Sequence, residues 1–230
     1  MPELTTFVVT VGEPVVLETL ARLKKFTPVE HTLTVWYDLR GQPVNSQVLE
    51  GIRSFTDDII LTTKLHGQCE AYGFAFLYLH SPWLLLTYAD ILVKPDFYQK
   101  LRQPFDVTDK LASVGQATCR MYGEYEFDSR DNHPDHIYLI RREAIDSVGG
   151  CCPSFRTYGH VPLEWHYRAL AQGWHYGVHQ DIVHWEKDEH TGRDSLQNSN
   201  QIIVRNTRAM EESLRQGFHY PWWTNNLLED

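Results

Sequence analysis

Short runs of β-branched and aromatic residues alternate with stretches of helical periodicity through the first half of the chain. The runs at 6–11, 32–37 and 59–62 predict strands, and apolar residues at helical spacing after Pro14 predict a helix between the first two. This alternation is typical of βαβ units, in which parallel strands form a sheet and the connecting helices cover it. We therefore expect an α/β fold with a mixed, mainly parallel central sheet flanked by helices.

The segment 83–87 forms an apolar run that predicts a central strand covered on both faces. A helix is predicted before it at 69–80, because apolar residues recur there at helical spacing and Pro82 ends the pattern. Asp90 follows the apolar run directly. Its carboxylate is therefore expected at, or just past, the carboxyl end of a buried strand.

The second half of the chain is less regular, and no linker-like segment separates it from the first. A length of 230 residues suits one α/β domain, so we expect a single domain over residues 1–230. The elements predicted here are strands at 111–118 and 137–140, a helix at 163–171, a strand or hairpin at 174–184, and a closing helix at 202–214 before an aromatic tail.

The charge balance and the absence of long apolar runs exclude some classes of function. A formal net charge of −9 with no basic run disfavours nucleic acid as a partner, since phosphate recognition needs clustered Lys and Arg. No leader-like N-terminal segment and no run of about 18 apolar residues occurs. We expect a soluble, cytoplasmic protein without a transmembrane segment, and peripheral membrane contact stays open.

Three turns are the places where chemistry is expected. In an open α/β sheet, ligands bind beyond the carboxyl ends of the strands, where loops can carry polar groups. The turn at 11–13 follows the first predicted strand, Asp38 follows the second, and the turn at 88–90 follows the long apolar strand. Each of the three carries a small or acidic residue.

Two segments resemble the family 2 glycosyltransferases. The stretch KLHGQCEAYGFAFLYLHSPWLLLTYADILVKPDFYQKL is similar to that family's run from a glycine-bearing helix start through an aspartate-rich metal turn, with Gly67, Asp90 and Pro95 on the motif positions. The later segment GGCCPSFRTYGHVPLEWHYRALAQGWHYGVHQDIVHW resembles the family's acceptor-side region. The pieces occur in matching order and together cover residues 6–185.

The resemblance implies a GT-A, Rossmann-like fold that transfers a sugar from a nucleotide-sugar donor. The family's habit implies a UDP-linked donor and inversion at the transferred sugar, with a saccharide, lipid-linked or protein acceptor. It also implies a nucleotide-binding half at about 1–105, an acceptor-side half at about 106–195, and a C-terminal helix and aromatic tail at 196–230.

The chemistry of sugar transfer explains why acidic and metal-binding residues are expected at these turns. Breaking a sugar–phosphate bond leaves negative charge on a nucleoside diphosphate, which a divalent ion can neutralise. The resemblance implies that Asp90 and His184 bind that ion, Mn²⁺ or Mg²⁺, because carboxylate oxygen and imidazole nitrogen suit such a metal. The residues implied for nucleotide binding are Thr10, Gly12, Glu13, Asp38, Lys64 and Gly67.

The sequence departs from the family pattern at two places. Val161 and Pro162 stand where the family has an acidic pair that supplies the general base, so Glu164 or His160 is expected to take that role. Tyr88 replaces the first acid of the metal turn. The residues expected to contact the acceptor are Tyr158, Trp222 and Trp223.

Two other functions stay open at this stage. The missing acids fit a glycosyltransferase-like module that binds a nucleotide-sugar without turning it over. A sugar nucleotidyltransferase shares the need for metal and phosphate binding, but it calls for a glycine-rich, basic loop near the first strand, where this chain has only Gly12 beside Glu13.

Overall fold

The computed structural model describes most of the 230-residue chain. The described residues are 2–63, 67–117, 121, 124–129, 132–151, 161–184 and 208.

The first part of the chain alternates strictly between strands and helices, as the sequence predicts. Its elements are β1 (Leu4–Thr10), α1 (Val16–Phe26), β2 (His31–Asp38), α2 (Ser46–Arg53), β3 (Ile59–Thr62), α3 (Gly67–Tyr78) and β4 (Trp83–Tyr88). Helix α2 is capped by Asn45, whose side-chain oxygen accepts from the Val48 N–H.

The second part contains shorter elements. They are β5 (Leu92–Val93), α4 (Phe97–Arg102) with a 3₁₀ turn at Gln103–Asp106, β6 (Leu111–Ala117), β7 (Tyr125–Phe127), β8 (Pro134–Arg141), α5 (Arg142–Val148), α6 (Val161–Ala171), β9 (His175–His179) and β10 (Val183–His184). The two strand positions predicted at 111–118 and 137–140 and the helix predicted at 163–171 are confirmed.

A mixed sheet forms the centre of the fold, in the strand order β3-β2-β1-β4-β8-β6-β9-β7. The four strands from β3 to β4 run parallel to one another, β8 runs antiparallel to both β4 and β6, and β9 is parallel to β6. A small second sheet pairs β10 with β5 in antiparallel register. The predicted mixed, mainly parallel sheet is therefore confirmed.

Helices cover both faces of this sheet and enclose two apolar clusters. One cluster contains Leu20 of α1 and Ile52 of α2, and the other contains Trp165 of α6. The consecutive residues Leu84 and Leu85 belong to different clusters, because successive side chains of a strand point to opposite faces. This two-sided burial explains why β4 reads as a continuous apolar run.

The elements β5, β7 and α5 are not predicted from the sequence, because they are too short to show a periodic pattern. The closing helix predicted at 202–214 lies outside the described residues, apart from Arg208, which is helical. Among the helices of the described part, none is long and apolar enough to cross a membrane.

Candidate functional site

The carboxyl ends of β1, β2 and β4 meet at one edge of the sheet. The strands are parallel, Thr10 pairs with Tyr37, and Val9 pairs with Tyr88. The turns that follow Thr10, Asp38 and Tyr88 are therefore neighbours. The structure brings together three of the places where the sequence predicts chemistry.

The turn after β1 is held by its own side chains. The Glu13 carboxylate accepts from the Thr10 hydroxyl at 2.7 Å and from the Val11 N–H at 2.9 Å, and the Gly12 N–H donates to the Thr10 hydroxyl oxygen at 2.9 Å. Thr10 is buried, whereas Gly12 and Glu13 are half-buried. These bonds fix the backbone of the turn before any ligand arrives.

Tyr37 packs directly under this turn. Gly12 has a φ of +94°, and a β-carbon added there would lie 2.1 Å from the Tyr37 hydroxyl oxygen. The same oxygen accepts from the backbone N–H of Asn45 at 3.2 Å, which ties the turn to the start of α2. Burial raises the pKa of Tyr37, and the nearby Glu13 carboxylate raises it further. Glycine is required at position 12 because the tyrosine occupies the space of a side chain.

Asp38 lies at the end of β2 and is only 1% exposed. Its Oδ1 accepts from the Arg40 N–H at 3.2 Å and from the Thr62 hydroxyl at 3.4 Å, and its Oδ2 lies 3.8 Å from Arg40 Nε. Arg40 adopts a φ of +49°, which is uncommon for a residue other than glycine. The Asp38 carboxylate therefore organises the loop after β2 from within.

The turn that carries Asp90 is anchored on both sides. The Ala89 N–H donates to the Val9 carbonyl at 2.9 Å, and the Thr19 hydroxyl of α1 donates to the Ala89 carbonyl at 2.5 Å. Asp90 itself is half-buried. Because Ala89 is held by a strand and by a helix, the position of Asp90 is fixed by its neighbour along the chain.

Tyr88, at the position where the family 2 glycosyltransferases have the first acid of a metal turn, is half-buried and packs on the α3 side of the sheet. The Tyr72 hydroxyl donates to the Tyr88 hydroxyl, and the two ring centroids lie 6.2 Å apart. The Tyr72 ring also meets the Tyr138 ring edge-on at 5.9 Å. The residue at position 88 thus contributes to packing beneath the turn.

His184 reaches the Asp90 turn through the small second sheet. In the register of β10 with β5, His184 lies opposite Leu92, two residues after Asp90 in the chain. The His184 side chain is exposed. Carboxylate oxygen and imidazole nitrogen are donor atoms that Mn²⁺ accepts, which is the chemistry expected of these two residues. Within the described ranges, no group of three or more His, Cys, Asp or Glu side chains could hold a metal.

Glu164 lies in the first turn of α6 and is fully buried. Its two oxygens accept from Arg168, at 2.6 Å from Nε and at 3.2 Å from Nη2. Arg168 also donates to the carbonyls of Val148 at 2.8 Å and Gly150 at 2.5 Å. Trp165 adds a third bond of this kind, to the Gly149 carbonyl at 3.0 Å. The Glu164 carboxylate, which the sequence predicts as a candidate base, is therefore part of a buried set of bonds that holds the segment after α5.

The remaining residues singled out by the sequence are only partly covered by the structure. Gly67 begins α3, as the resemblance implies. The candidates that lie outside the described residues are Lys64, Tyr158, His160, Trp222 and Trp223.

Sequence reasoning missed several residues that shape the site, notably Thr19, Tyr37 and Thr62. Thr19 lies at helical spacing among the apolar residues Val16, Leu20 and Leu23 of α1, and a threonine on such a face is a signal that could have marked it. Tyr37 and Thr62 offer no such signal, because their contacts depend on strand pairing between separate parts of the chain.

Comparison with known proteins agrees with this architecture. No family model matches the chain, and no curated protein does so either. Among solved structures, the mannosyltransferase PcManGT from Pyrobaculum calidifontis, in complex with GDP-Man and Mn²⁺, is similar with a TM-score of 0.61 and 12% identity, over 94% of this chain and 73% of that one.

Two further solved structures share the fold. S. aureus TarS 1-349 in complex with UDP-GlcNAc matches with a TM-score of 0.66 and 13% identity, over 90% of this chain and 65% of that one. The catalytic domain of Drosophila beta1,4galactosyltransferase 7 in complex with xylobiose matches with a TM-score of 0.60 and 14% identity, over 98% of this chain and 84% of that one. The chain thus spans just under two thirds of the TarS fragment, and its fold is the GT-A fold of these glycosyltransferases.

Proposed function

We propose that this protein is a glycosyltransferase that moves a sugar from a nucleotide-sugar donor to an acceptor, with the help of Mn²⁺ or Mg²⁺. The observation that carries the proposal is the convergence of three turns at one sheet edge, with the strand that bears His184 folded back beside the turn that bears Asp90. The crevice at this edge is where ligands bind in open α/β folds. Two of the solved structures with this fold are complexes with GDP-Man and Mn²⁺ and with UDP-GlcNAc.

The turn after β1 and the loop after β2 form the nucleoside end of the proposed site. Backbone groups of a glycine turn allow close approach of a ligand, and Gly12 supplies such a turn. The carboxylates of Glu13 and Asp38 are already engaged by Thr10 and by Arg40. We therefore assign these carboxylates, and the Thr10 hydroxyl bonded to Glu13, the task of shaping the pocket, while Gly12 and the loop backbone line it. A UDP-linked donor, and Lys64 and Gly67 beside its nucleoside, remain part of this proposal.

Asp90 and His184 would hold the divalent ion, together with phosphate oxygens of the donor. Such an ion neutralises the charge that develops on the leaving nucleoside diphosphate. Asp90 sits on a turn whose backbone is fixed by Val9 and Thr19, which suits a ligand that must keep its position. His184 is exposed and therefore open to a ligand from solvent.

The general base is proposed on the acceptor side of the fold. Helix α6 returns the chain to the start of β9, which pairs with Leu111 at the amino end of β6. The first turn of α6, with Glu164, therefore lies toward the carboxyl edge. The ion pair with Arg168 favours a supporting role for Glu164 and leaves His160 as the other candidate for the base. Tyr158, Trp222 and Trp223 stay the proposed contacts to the acceptor.

The test is donor turnover with and without metal. The protein is incubated with a panel of UDP- and GDP-sugars in Mn²⁺, in Mg²⁺ and in EDTA, and release of nucleoside diphosphate is measured. We expect metal-stimulated release from one donor, reduced about 100-fold or more by Asp90→Asn, since a lost metal ligand removes transition-state charge stabilisation. The control is Asp57→Asn, which changes an exposed aspartate in the loop before β3.

A second candidate is a module that binds a nucleotide-sugar without turning it over. Two observations favour it: Tyr88 packs beneath the turn where the family has an acid, and Glu164 is buried in an ion pair. Binding of one donor in the panel without release of nucleoside diphosphate, in all three metal conditions, would select this module over the enzyme. Neither binding nor release across the panel would contradict both.

A further inference from the structure

The turn between β9 and β10 is held from several directions. It comprises Gln180, Asp181 and Ile182, and it leads directly into the two residues of β10. The Ile182 carbonyl accepts from the Lys94 N–H at 3.0 Å, which joins the turn to the residue after β5. Since β10 has only two residues, its own ladder provides few bonds, and its position depends on this turn.

Gln116 is the central contact of the turn. It belongs to β6 and is only 2% exposed. Its amide nitrogen donates to the Gln180 carbonyl at 3.0 Å, and its amide oxygen accepts from the Ile182 N–H at 3.0 Å. A single buried side chain therefore satisfies backbone groups on both sides of Asp181, and its bond with Ile182 is buried.

Three further side chains hold Asp181 itself. The neighbouring His179 is 3% exposed, and its Nδ1 accepts from the Asp181 N–H at 3.0 Å. On the outer side, Lys100 of α4 donates to the Asp181 carbonyl and to its Oδ2, both at 3.0 Å, and Lys94 donates to Oδ1. These ion pairs lower the pKa of Asp181 to about 2, so its charge persists throughout the physiological range.

We infer that Gln116 and Asp181 are positioning residues for His184, which fix the strand that presents this histidine to the Asp90 turn. The inference rests on the proposed metal role of Asp90 and His184. Both would act without binding the ion, because Gln116 bonds to the backbone of Gln180 and Ile182, and the Asp181 carboxylate bonds to Lys94 and Lys100. Groups that orient a metal ligand without touching the metal commonly contribute 10- to 100-fold to metal affinity.

Gln116 contributes the stronger constraint of the two. Its side chain and its bond with Ile182 are buried, whereas the side chains of Lys94 and Asp181 are 25% and 54% exposed, and exposed ion pairs contribute little because water screens them. We expect the loss of Gln116 to weaken metal binding more than the loss of the Asp181 charge does.

The experiment measures Mn²⁺ affinity, alone and with UDP or GDP present, by the electron paramagnetic resonance signal of free Mn²⁺. Gln116→Met keeps the shape of the side chain and removes both bonds, and we expect about a 10-fold or larger rise in the Mn²⁺ dissociation constant. Asp181→Asn should give a rise of about 3-fold, and Asp181→Glu should restore part of the affinity by keeping the charge. Hydrogen exchange at the Ile182 amide should accelerate in Gln116→Met.

Two controls separate positioning from a general loss of stability. Asp96→Asn removes the other carboxylate paired with Lys100, at 2.9 Å, without touching the turn, and should leave the Mn²⁺ affinity unchanged. Ile52→Ala lowers the stability of the core from α2, the helix that connects β2 with β3, and should also bind Mn²⁺ as the wild type does.

Four outcomes would overturn the inference. It fails, while the proposed function stands, if the wild type binds Mn²⁺ and Gln116→Met binds it equally well. It also fails if Gln116→Met binds no more weakly than Ile52→Ala at matched melting temperature, or if exchange at the Ile182 amide is unchanged. Absence of Mn²⁺ binding by the wild type, with and without nucleotide, would instead remove the metal from the proposed function and the inference with it.

Discussion

Gly12 shows how one residue determines the geometry of the candidate nucleotide pocket. Its positive φ and its contact with Tyr37 are separate requirements, and both exclude a side chain. Gly12→Ala should lower the free energy of unfolding by about 2–5 kcal/mol, because a left-handed alanine costs about 1–2 kcal/mol and overpacking against a buried ring adds about 1–3 kcal/mol. Urea unfolding measures this change.

Gly41 provides the matched control for that substitution. It has a comparable φ of +72°, but nothing lies within 4 Å of the position a β-carbon would take. Gly41→Ala should therefore show only the backbone cost of about 1–2 kcal/mol. Equal losses in the two variants would mean that Tyr37 does not constrain the turn.

His166 links stability to pH through its burial. It is fully buried, and its Nε2 lies 2.7 Å from the Ser113 hydroxyl oxygen. Burial lowers its pKa from 6.5 to about 3, with a further contribution from His133. Below about pH 6.5, His166 therefore binds a proton in the unfolded chain but stays neutral in the folded chain. Stability is complete above that pH and falls as the pH decreases toward the folded pKa.

The expected loss from His166 alone is about 2 kcal/mol between pH 6.5 and pH 5, since each pH unit corresponds to about 1.4 kcal/mol. The double variant His166→Phe, Ser113→Ala leaves neither partner unpaired. Between pH 6.5 and pH 5, its free energy of unfolding should therefore fall by about 2 kcal/mol less than that of the wild type. Chemical denaturation at a series of pH values measures it. The exposed His80, changed to Gln, serves as the control, and a double variant with the wild-type pH dependence would contradict the assignment.

At the scale of elements, α6 is attached to the segment after α5 by a buried ion pair. Arg168→Met should lower the free energy of unfolding by about 3–5 kcal/mol, because it leaves Glu164 charged and unpaired in the core and removes donors from the carbonyls of Val148 and Gly150. Thermal and urea unfolding measure the loss. The same substitution at Arg22, in an exposed ion pair with Glu18, should cost only about 0.5 kcal/mol.

A second variant identifies the cause of that loss. Glu164→Leu combined with Arg168→Met removes both charges, so the protein should regain about 2 kcal/mol or more relative to Arg168→Met alone. If the double variant is no more stable than the single one, the hydrogen bonds to the carbonyls carry the effect and the uncompensated charge does not.

The elements that the sequence predicts well are those whose pattern is local. Both β4 and α3 are recognised because burial on two faces and helical spacing appear within a dozen residues. The Glu164–Arg168 pair also has a local signal, the i,i+4 spacing, but spacing alone does not distinguish a solvated pair from a buried one. The sequence therefore predicts Glu164 as a candidate base, whereas the structure shows its carboxylate in a buried ion pair with Arg168.

The contacts that complete the site could not be predicted, because they join distant parts of the chain. The pairing of His184 with Leu92 spans most of the second half of the sequence, and both strands have only two residues. The position of Gln116 between Gln180 and Ile182 depends on the same long-range arrangement. The turns at the strand ends follow from the general rule for parallel sheets, whereas these contacts require the full topology.

At the scale of the whole molecule, the proposed site has two parts at different places along the sheet edge, one for the nucleoside and one for the ion. In the proposed function, the turn after β1 and the loop after β2 would bind the nucleoside, and the Asp90 turn beside β10 would bind the ion. A donor's diphosphate would have to reach from one to the other, so nucleotide and metal should bind cooperatively. Cooperative binding is a free energy of coupling, which appears as a stability gain larger than the sum of the two separate gains.

Melting temperature is the simplest measure of this coupling. At a ligand concentration 100 times its dissociation constant, binding stabilises the fold by about 2.7 kcal/mol, which for a chain of this size raises the melting temperature by about 5–10 °C. We expect UDP or GDP with Mn²⁺ to give such a rise, and either ligand alone to give less than half of it. Asp90→Asn should abolish the extra rise while leaving the effect of nucleotide alone. Additive shifts in the wild type would mean that the ion and the nucleotide occupy unconnected sites, which contradicts a shared diphosphate.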